Sequence, residues 1–281
     1  MFFIFGTPRS GTTLLAQCLS GHPDIVVPGE TDFIVPLAFI YDRLPHSPEL
    51  GRSIMARLIT ESTAFAGSLG EYLTKEKASE LVQSARYHPA AILESIYAEI
   101  ARAAGAKLAG DKSPNDLNFV RILVKVGALA PDTKILHIVR DIRDVMVSLS
   151  GTGWGEDLDL YFPRQWANQN LYLHALYQKE TSRYLLVRYE DMVTSPKPMF
   201  GRICGFLGVE FQEGMLDRSK RHPRYRSTPH LASLYDPIFT TSIGVYKKRL
   251  SSATLSSYET QAHEALAAFG YTTADGAGED K

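Results

Sequence analysis

Four consecutive apolar residues, Phe2 to Phe5, open the hydrophobic pattern of the chain, and Gly6 ends them. A short unbroken apolar run suits a parallel strand buried on both faces. From Thr12 to Ser20, the apolar positions Leu14, Leu15, Cys18 and Leu19 gather on one side of a helix. The opening therefore reads strand, glycine-rich loop, helix. Ile25 to Val27 reads as a second strand, broken by Pro28-Gly29-Glu30. Residues 33–105 carry helical periodicity, interrupted near Pro45 to Pro48, Gly67 to Gly70 and His88-Pro89. Lys107 to Lys112 reads as a strand running into a loop, Asn115 to Gly127 as helix, and Lys134 to Val139 as the clearest strand. Asp141 is placed to cap the helix that follows, Tyr184 to Val187 forms another strand, and Pro196 to Leu207 another helix.

Strands alternating with helices predict an α/β fold, a P-loop-type doubly wound parallel sheet flanked by helices. The 33–105 stretch is then a helical insert suited to an acceptor-binding or lid role. Residues 1–271 read as one domain. Gly214 to Asp236, rich in basic residues, Pro and Ser/Thr, reads as a surface loop, and residues 272–281 as a disordered tail without apolar anchors.

Composition narrows the function classes. The 281 residues carry a net charge of −1, which gives no reason to expect nucleic acid as a partner. No run approaches the roughly 20 apolar residues of a membrane span, and the start lacks the basic region of a secretory signal. The two cysteines, Cys18 and Cys204, lie far apart, with neither a disulfide framework nor zinc spacing. A cytoplasmic protein without a metal site is expected; the chain says nothing of its oligomeric state.

Gly6-Thr7-Pro8-Arg9-Ser10-Gly11-Thr12-Thr13 sits between a strand and a helix. Backbone N–H groups in such a loop converge on one spot, and the helix N-terminus adds partial positive charge. The spacing matches the nucleotide-binding loop, except that Thr12 stands where the lysine belongs. Arg9 supplies positive charge instead. The loop suits a small anionic group held by a guanidinium and hydroxyls; the plainer reading is a turn between strand and helix.

A second constellation runs from Ile135 to Ser148, with Arg140 at the carboxyl end of a strand, where open α/β sheets bind ligands. Eight helical residues turn about 800°, so Ser148 is displaced by only about 80° and could meet Arg140 at one phosphate. Read alone, Asp141, Arg143 and Asp144 are solvated charges on a capped helix.

These residues resemble the sulfotransferase family that uses 3′-phosphoadenosine 5′-phosphosulfate (PAPS). Thr7 to Leu14 is similar to its 5′-phosphosulfate loop, and Val139-Arg140-Asp141 through Ser148 to its 3′-phosphate motif, with the same Arg-to-Ser spacing. Arg188-Tyr189-Glu190-Asp191-Met192, Phe206-Leu207-Gly208 and Tyr235-Asp236-Pro237-Ile238 resemble later segments, so the likeness spans about residues 2–271. Within the family, His22-Pro23-Asp24-Ile25-Val26-Val27-Pro28-Gly29-Glu30-Thr31 leans towards the tyrosylprotein sulfotransferases and their bacterial relatives, in which a Gly-Glu pair supplies the catalytic carboxylate. The Arg-Lys-Gly phosphate clamp of the cytosolic members is missing; Ser242, Lys247, Lys248 and Arg249 are the nearest substitutes.

The resemblance implies sulfuryl transfer from PAPS, with adenosine 3′,5′-bisphosphate (PAP) as product and no metal. Glu30 would be the general base, its pKa raised if apolar walls bury it. Lys112 would touch the bridging oxygen and sulfuryl group, with Arg9 and Ser242 beside it. Arg9, Ser10, Gly11, Thr12, Thr13, Leu14, Arg140, Ser148, Thr152 and Tyr189 would bind the nucleotide. Trp154 reads as core, and His22 and His137 as structural. The acceptor would be a small-molecule or lipid hydroxyl, or an amine, with a peptide tyrosine as the other option, shaped by the helical insert and the basic stretch Lys220 to Arg226. Two other classes fit parts of the pattern: a magnesium-dependent P-loop kinase or triphosphatase, and a non-catalytic anion-binding module.

Overall fold

The computed structural model describes residues 1–152 and 158–272. Five strands form one parallel sheet: β1 (Phe2–Phe5), β2 (Ile25–Val26), β3 (Leu108–Lys112), β4 (Lys134–Val139) and β5 (Tyr184–Arg188), in the order β2-β3-β1-β4-β5. The helices are α1 (Thr12–Ser20), α2 (Ile34–Arg43), α3 (Pro48–Thr60), α4 (Lys75–Ser84), α5 (Pro89–Ala104), α6 (Val120–Lys125), α7 (Ile142–Ser150), α8 (Phe162–Tyr177), α9 (Tyr189–Thr194), α10 (Pro196–Leu207), α11 (Tyr246–Arg249) and α12 (Ser252–Ala268). The α/β class and the parallel sheet agree with the sequence pattern.

The described residues form two compact units. The first comprises Met1–Phe5, Thr13–Leu136 and Gln212–Tyr225. All four side chains of β1 are buried, as an inner parallel strand requires. β1 pairs with β3 so that Phe3 faces Asp111 and Ile4 faces Lys112, which brings the last residue of β3 to the carboxyl edge of the sheet. The insert is α2 to α5, with α5 presenting Ile92, Leu93, Ile96, Tyr97 and Ile100 inward at helical spacing and ending on the left-handed Gly105.

The second unit comprises Gly6–Thr12, His137–Phe211 and the described residues from Arg226 onward. Its core gathers Val139, Ile142, Val145 and Leu149 with Trp166, Tyr258, Ala262, Leu266 and Phe269. Asp141 caps α7 by accepting from the Arg143 backbone N–H at 2.9 Å, as its position after the strand predicts.

Three expectations change in detail. The second strand is only two residues long. The 115–127 helix divides into a 3₁₀ turn, Pro114–Phe119, and α6. The 214–236 stretch is not a plain surface loop: it winds through 3₁₀ turns and buries Met215, Arg221 and Leu234. Thr272 accepts from Arg143, and the rest of the expected tail lies outside the described residues.

Candidate active site

Gly6 to Thr12 of the glycine-rich loop belong to the second unit. A Cβ on Gly6 would stand 2.6 Å from the Ile138 carbonyl oxygen, so only glycine lets the loop leave β1 at this angle. Thr7 and Ser10 share a hydroxyl hydrogen bond of 2.8 Å, and Ser10 and Thr12 are buried. Arg9 and Asp32 are the non-glycine residues with left-handed backbone among those described, at φ 68° and 52°. Such conformations cost energy and concentrate where a site over-determines them. Arg9 Nε donates to Ser148 Oγ at 2.9 Å and Nη2 to the His230 carbonyl at 3.0 Å.

Arg140 lies buried just past β4, with its guanidinium 4.5 Å from the Tyr189 ring centroid. Its Nη1 donates to the Arg9 carbonyl and its Nη2 to the Ser242 carbonyl, both at 2.9 Å. Its Nε is buried without a hydrogen-bond partner, a vacancy that proteins rarely leave and that an anionic oxygen would fill. Burial, and next the Arg140 charge, lower the Arg9 pKa. Arg140 and Ser148, whose spacing predicts a common site, are joined through Arg9, which that spacing does not predict. Tyr189 Oη and Ser242 Oγ share a hydrogen bond of 2.8 Å. Asp144 accepts from the backbone N–H groups of Gly244 at 2.6 Å and Tyr246 at 3.0 Å, which fixes the segment carrying Ser242. Thr152 donates its hydroxyl to Leu149 at 2.7 Å, finishing α7. Trp154 lies outside the described residues.

The charges flanking this cluster are not solvated. Asp141, Arg143 and Asp144 are buried. Arg143 binds Asp141 at 2.7 Å and Glu259 at 2.5 Å. Burial does most to the Arg143 guanidinium by lowering its pKa, but the hydrogen bonds and charges of Asp141 and Glu259 outweigh it and raise the pKa overall.

In the first unit, Ser20 Oγ bridges the Val27 N–H and carbonyl at 3.0 and 3.2 Å, holding the end of β2, and the chain turns through Pro28-Gly29 to Glu30. Lys112 closes β3 with a side chain only 1% exposed, and its Nζ meets Glu30 Oε1 at 2.5 Å. The ammonium also reaches Thr13 Oγ1 at 3.5 Å and lies 5.5 Å from the Tyr225 ring centroid. The Glu30 side chain is 39% exposed and ion-paired, so the apolar burial expected of it is not found. Leu14 is half-buried on α1.

Behind this pair stand further carboxylates that the sequence does not advertise. Asp111 accepts from Tyr97 Oη at 2.5 Å and Thr31 Oγ1 at 2.8 Å, and burial raises its pKa. Burial, then the charges of Asp111, Asp32 and Glu30, push Asp116 well up. Asp32 is raised by desolvation and by Glu30.

The family model for the sulfotransferases matches residues 2–213, most of the chain. The chain belongs to the sulfotransferase family. This sulfotransferase-family chain is 28% identical to nodulation protein NoeE of Sinorhizobium fredii over 153 residues, 54% of this chain and 31% of that one. It is 27% identical to the protein-tyrosine sulfotransferase of Drosophila melanogaster over 226 residues, 77% of this chain and 39% of that one. It spans between 31% and 55% of the length of the curated relatives it matches. Its fold is similar to the sulfotransferase domain of the Synechococcus PCC 7002 olefin synthase, with a TM-score of 0.66, 27% identity, and coverage of 97% of this chain and 94% of that domain. The sulfotransferase domain of the curacin biosynthetic pathway shares the fold at a TM-score of 0.64 and 24% identity, over 97% of this chain and 98% of that domain. Among the described residues no helix is long and apolar enough to cross a membrane.

His22 and His137 hold structure: His22 Nδ1 accepts from the Asp24 N–H at 3.0 Å, and His137 is buried inside β4. The sequence pattern does not single out Asp116, and it marks Asp144 only as a solvated charge and Arg224 and Tyr225 only as part of a basic stretch, because Gly244 and Tyr246, Gly67, and Lys112, which these three meet, sit far along the chain.

Proposed function

We propose that the chain transfers a sulfuryl group from PAPS to an acceptor hydroxyl, or an amine, with Glu30 as general base. The observation that carries the reading is the pairing of Glu30 with the buried ammonium of Lys112 at 2.5 Å: one group accepts a proton, the other neutralises a departing anion. Sulfuryl transfer asks mainly for positioning and charge stabilisation. Arg140 and Ser148 bind the 3′-phosphate, with Tyr189 under the guanidinium and Thr152 extending the site. Arg9, Ser10, Gly11, Thr12, Thr13 and Leu14 bind the 5′-phosphosulfate. Glu30 removes the acceptor proton as the acceptor oxygen bonds to sulfur. The bond from sulfur to the bridging oxygen breaks, and Lys112, with Ser242, stabilises the charge left on the phosphate of PAP.

The acceptor in this reading is a small-molecule or lipid hydroxyl; relatives named protein-tyrosine sulfotransferases favour adding peptide tyrosines to the test. A cytoplasmic location goes with it, consistent with Cys18 and Cys204 forming no disulfide. A panel of alcohols, phenols, lipids and tyrosine peptides with labelled PAPS tests the reaction. Glu30→Gln should lower kcat by about 10²–10⁴ with PAP affinity unchanged. Wild-type turnover by Glu30→Gln would place the base elsewhere, with Asp32 and His22 next in line.

A further inference from the structure

We propose that Arg224 is the positioning residue of the Glu30–Lys112 pair, clamping the Gly29–Glu30 turn while Tyr225 covers the Lys112 ammonium. The inference rests on Glu30 and Lys112 acting as assigned above. Each nitrogen of the Arg224 guanidinium is engaged: Nε donates to His222 Nδ1 at 3.1 Å, Nη1 to the Gly67 carbonyl at 3.1 Å, and Nη2 to Glu71 Oε2 at 2.6 Å. The side chain is 10% exposed, against 26% for Glu71. Gly67 and Glu71 belong to the turn between α3 and α4. A Cβ on Gly29 would collide with both Arg224 Nη1 and the Gly67 carbonyl oxygen. The hydrogen bond between Arg224 and Gly67 is therefore packed directly against the residue that precedes Glu30.

The next residue, Tyr225, presents its ring to Lys112 Nζ at 5.5 Å. The same segment is pinned to α1, where the His222 N–H donates to Gln17 Oε1 at 2.6 Å. One short stretch thus touches α1, the insert, the turn before the base, and the lysine.

This matters because Glu30 is partly exposed, and a solvent-facing ion pair holds its partners weakly. Catalysis is sensitive to such looseness: a misplacement of about 1 Å can cost about 100-fold. Clamping the backbone of the turn removes that freedom without touching the reacting atoms.

The test uses the full chain. The first readout is solvent exchange of the Lys112 ammonium protons by NMR. The second is PAP release from PAPS with water as acceptor, and the third is the Kd of PAP. Arg224→Ala should speed Lys112 exchange at least tenfold and slow PAP release at least tenfold, with the Kd of PAP within twofold. Added guanidinium ion should restore both, whereas Arg224→Lys should not, since one ammonium cannot span three acceptors. Glu71→Gln, a milder change, should move the same readouts in the same direction and serves where Arg224→Ala fails to fold. Unchanged Lys112 exchange in folded variants overturns the clamp. So does a loss of PAP affinity and melting temperature together, without a selective fall in turnover. The base reading fails separately, when Glu30→Gln turns over normally.

Discussion

Arg140 combines three features that a solvated lysine or arginine lacks: burial, a ring beneath it, and an Nε without a partner. Removing it leaves the Arg9 and Ser242 carbonyls short of a donor and takes a charge from the cluster. Arg140→Ala should weaken PAP binding by about 2 kcal/mol or more, roughly 30-fold, the scale of a lost charged hydrogen-bond partner. Calorimetric titration of the folded variant checks this, and an unchanged Kd would remove the 3′-phosphate assignment. Arg9, Arg140 and Ser148 are legible in the sequence because each sits at a fixed offset from a strand end. Asp144 is not, since its partners Gly244 and Tyr246 lie 100 and 102 residues away. The expectation for Glu30 was right about its place after β2 and wrong about its surroundings, because the lysine that pairs with it comes from β3, a different strand.

Among the elements, β1, α1, β4 and α10 follow their sequence patterns residue for residue. α8 and α12 carry a helical pattern as well, yet polar residues blur it: Asn170 and His174 sit on the α8 face that meets β4 and β5. There His137 Nε2 and Asn170 Oδ1 lie at 2.8 Å, His137 Nδ1 and Tyr184 Oη at 2.7 Å, and His174 Nδ1 and Tyr184 Oη at 3.0 Å. Burial lowers the His137 pKa to about 4, from 6.5. The folded state therefore refuses a proton that the unfolded chain takes up near pH 6.5. Stability from this residue is full above that pH and falls as pH drops towards 4, by at most about 3 kcal/mol. Denaturant melts of wild type and His137→Gln across pH 4–7.5 should show the variant with the shallower slope. Parallel slopes would mean that His137 does not titrate differently on folding. The comparison must be between variants, because Asp111, Asp116 and Glu190, raised by burial, act in the opposite sense.

For the whole molecule, the question that separates the proposed reaction from phosphoryl transfer is what would neutralise the phosphates of a bound nucleotide. A P-loop kinase would use a loop lysine and a magnesium ion held by a carboxylate after a strand. Here Thr12 occupies the lysine position. The carboxylate after β4, Asp141, accepts from Arg143 through its backbone N–H, Nε and Nη2 at 2.9, 2.9 and 2.7 Å. Two guanidiniums, Arg9 and Arg140, lie side by side, with Arg140 donating to the Arg9 carbonyl, and in the proposed reading they supply the positive charge. PAP should therefore raise the melting temperature of the protein with no magnesium present, since a ligand selective for the folded state stabilises it by mass action, about 2.7 kcal/mol at 100 times Kd. ATP with magnesium should shift it far less. Turnover of PAPS should survive excess EDTA. A magnesium-dependent shift by ATP, together with activity lost in EDTA and restored by magnesium, would instead assign the chain to phosphoryl transfer, and Asp141 would then have to leave Arg143 to hold the ion.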